Sequence, residues 1–162
     1  MQRLENQIGK ILILKNLTIA TTESCTGGLL SSKLTDVSGS SAYIHLNLVT
    51  YANEAKHKML GVSAETLENF GAVSEECSYE MAKGLQKLSG ADICVSTTGI
   101  AGPTGGSKEK PVGLVYIGVY YKGDVKAYRH VFNGDRGEVR RKATVEALDK
   151  VRRSILQDKI VG

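Results

Sequence analysis

Tryptophan is missing from the 162 residues, phenylalanine and proline occur twice each, and cysteine three times. The thiols, Cys25, Cys77 and Cys94, are odd in number and scattered, which fits neither a disulfide framework nor a zinc site; they read as reduced thiols of a cytoplasmic protein. No apolar run approaches the length of a membrane span, and the opening Gln2-Arg3-Leu4-Glu5 puts charges where a signal peptide needs an apolar core. Charge of one sign is scarce too: 21 Lys and Arg against 17 Asp and Glu leave a net +4. The length fits one ordinary domain over residues 1–162, large enough to bury roughly two thirds of the surface of its unfolded chain.

What is present alternates between helix-like and strand-like segments. Leu4, Ile8, Ile11 and Leu12 recur at helical spacing, so a first helix is predicted over residues 4–16, ended by Asn16. Leu17 to Thr22 is short and β-prone, and Thr26-Gly27-Gly28 turns the chain into a helix around Leu29 to Leu34. A second strand is predicted from Tyr43 to Tyr51, then short helices over about 53–60 and 64–69. Ser74 with Glu75 and Glu76 has the composition of an N-cap and acidic first turn; that helix should end near Gly90. Asp92 to Thr98 reads as a third strand that runs into a glycine-rich loop, Gly99 to Gly106. Leu114–Tyr121 and Val125–Phe132, joined by Lys122-Gly123-Asp124, predict a β-hairpin. Beyond Gly134, Val139, Ala143, Ala147, Val151 and Ile155 stand at steps of four on a long last helix. The pattern predicts an α/β fold, a three-layer α/β/α sandwich around a mixed sheet of about five strands.

Ser24 lies just past a strand and just before a helix, where a hydroxyl can be exposed while backbone N–H groups point at a developing oxyanion. The Gly-x-Ser-x-Gly of the nucleophile elbow is absent, and Ser24 can equally be the cap of that helix. A nucleophilic serine needs a base. His45 and His130 fall within predicted strands and His57 beside Lys56 on a helix, and all three suit surface or packing roles. A lysine made neutral by burial is the other option. Lys56 lies about one helical turn past Tyr51, so both can face the strand-end crevice that holds Ser24, although a lysine taken alone is ordinarily solvated. The loop Gly99 to Gly106, followed by Lys108, Lys110 and Pro111, either cradles a phosphate with its N–H groups or is a surface loop; it lacks the Walker ending. Asp135 is a good N-cap for the last helix, with Arg136 behind it. Arg136, Arg140, Arg141, Lys142, Lys150, Arg152 and Arg153 form either a solvated face or an anion or nucleic-acid surface. No aromatics interleave them for stacking on bases.

Thr22-Glu23-Ser24-Cys25-Thr26-Gly27-Gly28, Val49-Thr50-Tyr51-Ala52-Asn53-Glu54-Ala55-Lys56, Gly71-Ala72-Val73-Ser74-Glu75, Thr98-Gly99-Ile100-Ala101-Gly102-Pro103, Lys110-Pro111-Val112-Gly113 and Gly134-Asp135-Arg136 resemble, in that order, the motifs of CinA C-terminal domains over roughly residues 5–155. Departures are small: Thr22 stands where alanine is common, Asn47 where glycine often precedes the strand, and Leu114 where threonine is frequent. The resemblance implies a stand-alone amidohydrolase that deamidates nicotinamide mononucleotide in pyridine nucleotide salvage, without metal or organic cofactor. It implies Ser24 as nucleophile, Lys56 as base, Tyr51 as a hydrogen-bonding partner and Arg136 completing the site, by binding phosphate or by lowering the pKa of Lys56. Substrate contacts are expected from Thr26, Gly27, Gly28, Ser41, Gly99, Ala101, Gly102 and Pro103. The expected partner is the small-molecule nucleotide, not nucleic acid or membrane, and self-association into a homo-oligomer is expected. A domain that keeps the crevice and binds a nucleotide or partner without hydrolysis is the other reading.

Overall fold

Successive residues of a strand point to opposite faces, and on the central strands those faces collect different partners. In the computed structural model, which describes residues 2–157, Ile19, Ile93 and Val95 join Ile8, Leu12, Leu30, Val139 and Ala147 in one buried cluster, whereas Ala20 and Cys94 join Leu60, Cys77, Met81 and Leu85 in another. The elements are α1 (Leu4–Lys15), β1 (Ile19–Glu23), α2 (Leu29–Thr35), a 3-10 turn (Ser40–Ala42), β2 (Ile44–Val49), α3 (Asn53–Leu60), α4 (Ala64–Asn69), α5 (Glu75–Ser89), β3 (Ile93–Gly99), β4 (Leu114–Tyr121), β5 (Asp124–Val131) and α6 (Arg136–Leu156). The sheet runs β2-β1-β3-β4-β5. Its first three strands are parallel, and the hairpin β4-β5 continues it antiparallel. Helices α1, α2 and α6 pack together on one face, and α5, with α3 against it, covers the other. This is the expected three-layer α/β/α arrangement.

Local signals explain the element ends. Asn16 takes a left-handed φ of 53° after α1, Ser74 Oγ accepts the Cys77 N–H at the start of α5, and Asp135 and Glu138 form a reciprocal capping box on α6. At Gly118 on β4 a Cβ would lie 2.5 Å from the Ser78 carbonyl oxygen, so only glycine lets α5 approach the sheet so closely.

Several strand ends lie one or two residues from expectation, and two of them shape the site. The strand β1 runs one residue further, to Glu23, because Thr50 N–H donates to the Glu23 carbonyl at 2.9 Å. For its part β2 ends at Val49 rather than Tyr51, since Thr50 and Tyr51 already lead out of the sheet into α3. Parallel β1, β2 and β3 therefore finish at one edge of the sheet, and the segments that leave there are Ser24 to Gly28, Thr50 to Lys56 and the loop after Gly99. Ligand crevices of open α/β sheets form at that kind of edge. No helix among the described residues is long and apolar enough to cross a membrane.

Candidate active site

The strand-to-helix turn is organised by Glu23, which is fully buried at the end of β1. Its Oε1 accepts from Thr26 Oγ1 at 2.6 Å, Gly28 N at 3.2 Å and Leu30 N at 2.9 Å, and its Oε2 accepts from Ser31 N at 3.0 Å and Ser31 Oγ at 2.5 Å. A helix start leaves N–H groups without intrahelical partners. Here one carboxylate answers them, and Gly28, the N-cap position, has no side chain to do so. Ser24 is thus not the cap of α2, which removes the structural alternative for its hydroxyl. Gly27 and Gly28, with φ of 58° and 109°, supply the left-handed conformations that bring the chain around.

Ser24 N–H donates to the Thr97 carbonyl at 3.0 Å, extending the β1–β3 ladder by one residue. The Ser24 Oγ lies 3.1 Å from Lys56 Nζ. Lys56 is 1% exposed and its Nζ also donates to the carbonyls of Thr50 and Tyr51, both at 2.9 Å. Those carbonyls can only accept, whereas a hydroxyl can do either. A neutral amine, with two hydrogens and one lone pair, satisfies all three neighbours by donating to the carbonyls and accepting from Ser24. Burial lowers the Lys56 pKa. Cys77 and Cys25 would oppose that only as thiolates, and burial pushes them up to about 11 and about 12, so at neutral pH they carry no charge. The lowering comes from burial and not from a neighbouring arginine.

Around this pair, the N–H groups of Gly27 and Gly28 are already committed, to the Ser24 carbonyl at 3.1 Å and to Glu23. Those of Cys25 and Thr26 meet no carbonyl or hydroxyl among the described residues. Arg136 Nη1 donates to the Gly102 carbonyl at 2.8 Å and its Nη2 to Tyr51 Oη at 3.4 Å. Tyr51 thus enters through its main-chain carbonyl on the lysine and its hydroxyl on the arginine. A cavity of about 230 Å³ is lined by Cys25, Tyr51, Gly99, Ala101, Gly102 and Arg136 among others. A neighbouring hollow of about 470 Å³ shares Ala101 and Arg136 with it and adds Pro103 and the start of α6.

Ser41 is not brought to this site within one chain. It sits in the 3-10 turn before β2, whose first residue, Ile44, pairs with Ile19 in the parallel register, so it belongs to the starting end of β1, and roughly 16 Å of strand separates that end from Ser24 at the rise of an extended chain. The histidines lie elsewhere: His45 on the edge strand β2 and His57 on α3, both exposed, and His130 half-buried, stacked on Phe132 at 5.4 Å. Lys110 Nζ donates to the Phe70 carbonyl at 2.5 Å and so straps the loop after Gly106 to the end of α4. The basic run of α6 divides. Lys150 pairs with Glu146, and Arg152 and Arg153 share Asp149, a face of paired charges. By contrast Arg140, missed by sequence reasoning as a site residue, donates from Nε to the Cys25 carbonyl at 3.1 Å and from Nη2 to the Thr26 carbonyl at 3.3 Å. Its only sequence signal was a position one turn after Arg136. No three His, Cys, Asp or Glu side chains among the described residues are grouped as a metal would require.

The model of the CinA C-terminal domain matches residues 1–155. The chain belongs to that family. It is 51% identical over 154 residues to a competence-damage inducible protein of Clostridium novyi, covering 95% of this chain and 37% of that one, and 54% identical to the homologue of Clostridium tetani, covering 94% and 37%. The chain therefore spans little more than a third of these relatives' length. Among solved structures, competence damage-inducible protein A of Klebsiella pneumoniae superposes with a TM-score of 0.92 at 36% identity, covering 96% of this chain and 97% of that one. The competence/damage inducible protein of Agrobacterium tumefaciens gives 0.89 at 40%, covering 97% and 100%. This CinA domain has the fold of those domains over nearly its whole length.

Proposed function

We propose that this domain is a serine amidohydrolase acting on nicotinamide mononucleotide. The observation that carries the reading is the 3.1 Å approach of buried Lys56 Nζ to Ser24 Oγ, at a helix-starting turn whose capping is done by Glu23. Neutral Lys56 takes the Ser24 proton as Oγ attacks the carboxamide carbon, and the Cys25 and Thr26 N–H groups hold the oxyanion. The C–N bond then breaks, Lys56 returns that proton to the departing nitrogen, and ammonia leaves. Water, deprotonated by Lys56, attacks the resulting ester; Ser24 recovers its proton and the carboxylate departs.

The nucleotide fits the crevice by its parts. A pyridinium ring suits the face of Tyr51, and a phosphate suits the Arg136 guanidinium. With burial accounting for the lowered Lys56, phosphate binding is the role that fits Arg136. Ammonia release measured across nicotinamide mononucleotide, its riboside and free nicotinamide tests the reading. The nucleotide should be preferred, and Arg136→Ala should raise its KM while leaving the riboside little changed. Nucleotide that binds and shifts Tm without ammonia release would instead make the domain a binding module.

A further inference from the structure

We infer that Arg140 is a positioning residue that fixes and polarises the oxyanion-holding peptide units beside Ser24; the inference rests on the amidohydrolase reading. Arg140 Nε donates to the Cys25 carbonyl at 3.1 Å. That carbonyl shares a peptide unit with the Thr26 N–H, which meets no carbonyl or hydroxyl among the described residues, so a cation on the oxygen side draws electron density from the nitrogen side and strengthens the donor. The Nη2 donates to the Thr26 carbonyl at 3.3 Å, which holds the next unit. The Cys25 N–H belongs to the Ser24 carbonyl unit, already fixed by Gly27 N–H at 3.1 Å. Both donors are therefore clamped from behind, one by the turn itself and one by α6.

Gly27 completes the argument. A Cβ there would stand 3.0 Å from Arg140 Nη2, so the absent side chain leaves the guanidinium its path to the turn. Arg136 and Arg140 lie one turn apart on α6, but the first reaches the outer loop and Tyr51 whereas the second reaches only main-chain carbonyls of the nucleophile's own turn. A residue with that geometry acts on the rate of attack and not on the fit of the substrate.

The test measures two rates in wild type, Arg140→Ala and Arg140→Met: labelling of Ser24 by a small fluorophosphonate, followed by peptide mass, and kcat and KM for ammonia release from nicotinamide mononucleotide. Removing a whole oxyanion donor costs about 100- to 1,000-fold in rate. Misaiming one by losing Arg140 should slow labelling and kcat about 10- to 100-fold, with KM within about threefold. Arg140→Met keeps the packed stem if the alanine variant melts early. Wild-type labelling and kcat in a folded variant overturn the inference, as does a rise confined to KM, which would make Arg140 a substrate ligand. Failure of the wild type to label at Ser24 overturns the serine reading and this inference together, whereas labelling without ammonia release overturns only the substrate assignment.

Discussion

At its start, β1 buries Ile19 and Ala20 against aliphatic side chains from the two faces of the sheet; at its end it buries Thr21, Thr22 and Glu23 just as thoroughly. The apolar end needs only shape, because hydrophobic contact is non-directional. The polar end needs a partner for each group, since a buried polar atom left alone costs more than it returns. Those partners are present: Thr21 Oγ1 donates to Asn47, Thr22 pairs with Thr50 at 2.8 Å, and Glu23 receives five donors. The exception in kind is Lys56, whose amine is buried without a carboxylate. One end of the strand is thus built for stability and the other for chemistry, at a cost in stability.

Five substitutions break or sharpen that contrast. The largest effect is expected at Lys56: Lys56→Ala should lower kcat by about 10⁴-fold or more, and combining it with Ser24→Ala should add little, because the two act as a unit. Independent, multiplying losses would contradict the dyad. Leu85→Ala, in the apolar cluster of α5, should cost about 2–5 kcal/mol in denaturant unfolding, while the folded fraction keeps its kcat. Glu23→Gln exchanges an acceptor oxygen for an NH2 group facing donors; about 2 kcal/mol should be lost, together with much of the activity. Lys56→Met removes a buried amine but leaves the Thr50 and Tyr51 carbonyls without its hydrogen bonds, so stability should stay within about 1 kcal/mol of wild type while turnover is abolished. Arg153→Ala, on the self-paired face, should stay within about 0.5 kcal/mol of wild type.

The pH behaviour of Lys56 gives the methionine variant a second readout. With its folded pKa below the ordinary 10.5, the unfolded state binds more protons between the two values. Stability should therefore climb with pH across that window, and Lys56→Met, which lacks the group, should lose ground to wild type as pH approaches 10.5. The buried thiols act in the opposite direction above 9.0, because their folded values are raised. The kcat/KM for hydrolysis should rise with pH as Lys56 loses its proton, with a midpoint below that of a solvated lysine.

Much of the fold was legible because its signals are local. Ser74 before Glu75-Glu76, Asp135 three residues before Glu138, and Asn16 after an apolar stripe each act within a turn of helix, and helices α3 and α4 fall on the predicted spans. Ser24 and Lys56 were legible as candidates because each follows the end of a strand. The role of Glu23 was not, since it depends on N–H groups up to eight residues later folding back onto one carboxylate. Arg140 depends on where α6 docks, which no spacing within 136–156 reveals. Ser41, expected at the site from the resemblance, lies just before β2 and so at the starting end of the strands, because β1 and β2 pair in parallel. Strand order is likewise a property of long-range pairing.

The most direct test of the central claim is ammonia release from nicotinamide mononucleotide by wild type and Ser24→Ala, purified side by side and matched for folding by circular dichroism. The account predicts steady release by the wild type and none above background by Ser24→Ala. Release by Ser24→Ala at the wild-type rate would contradict it.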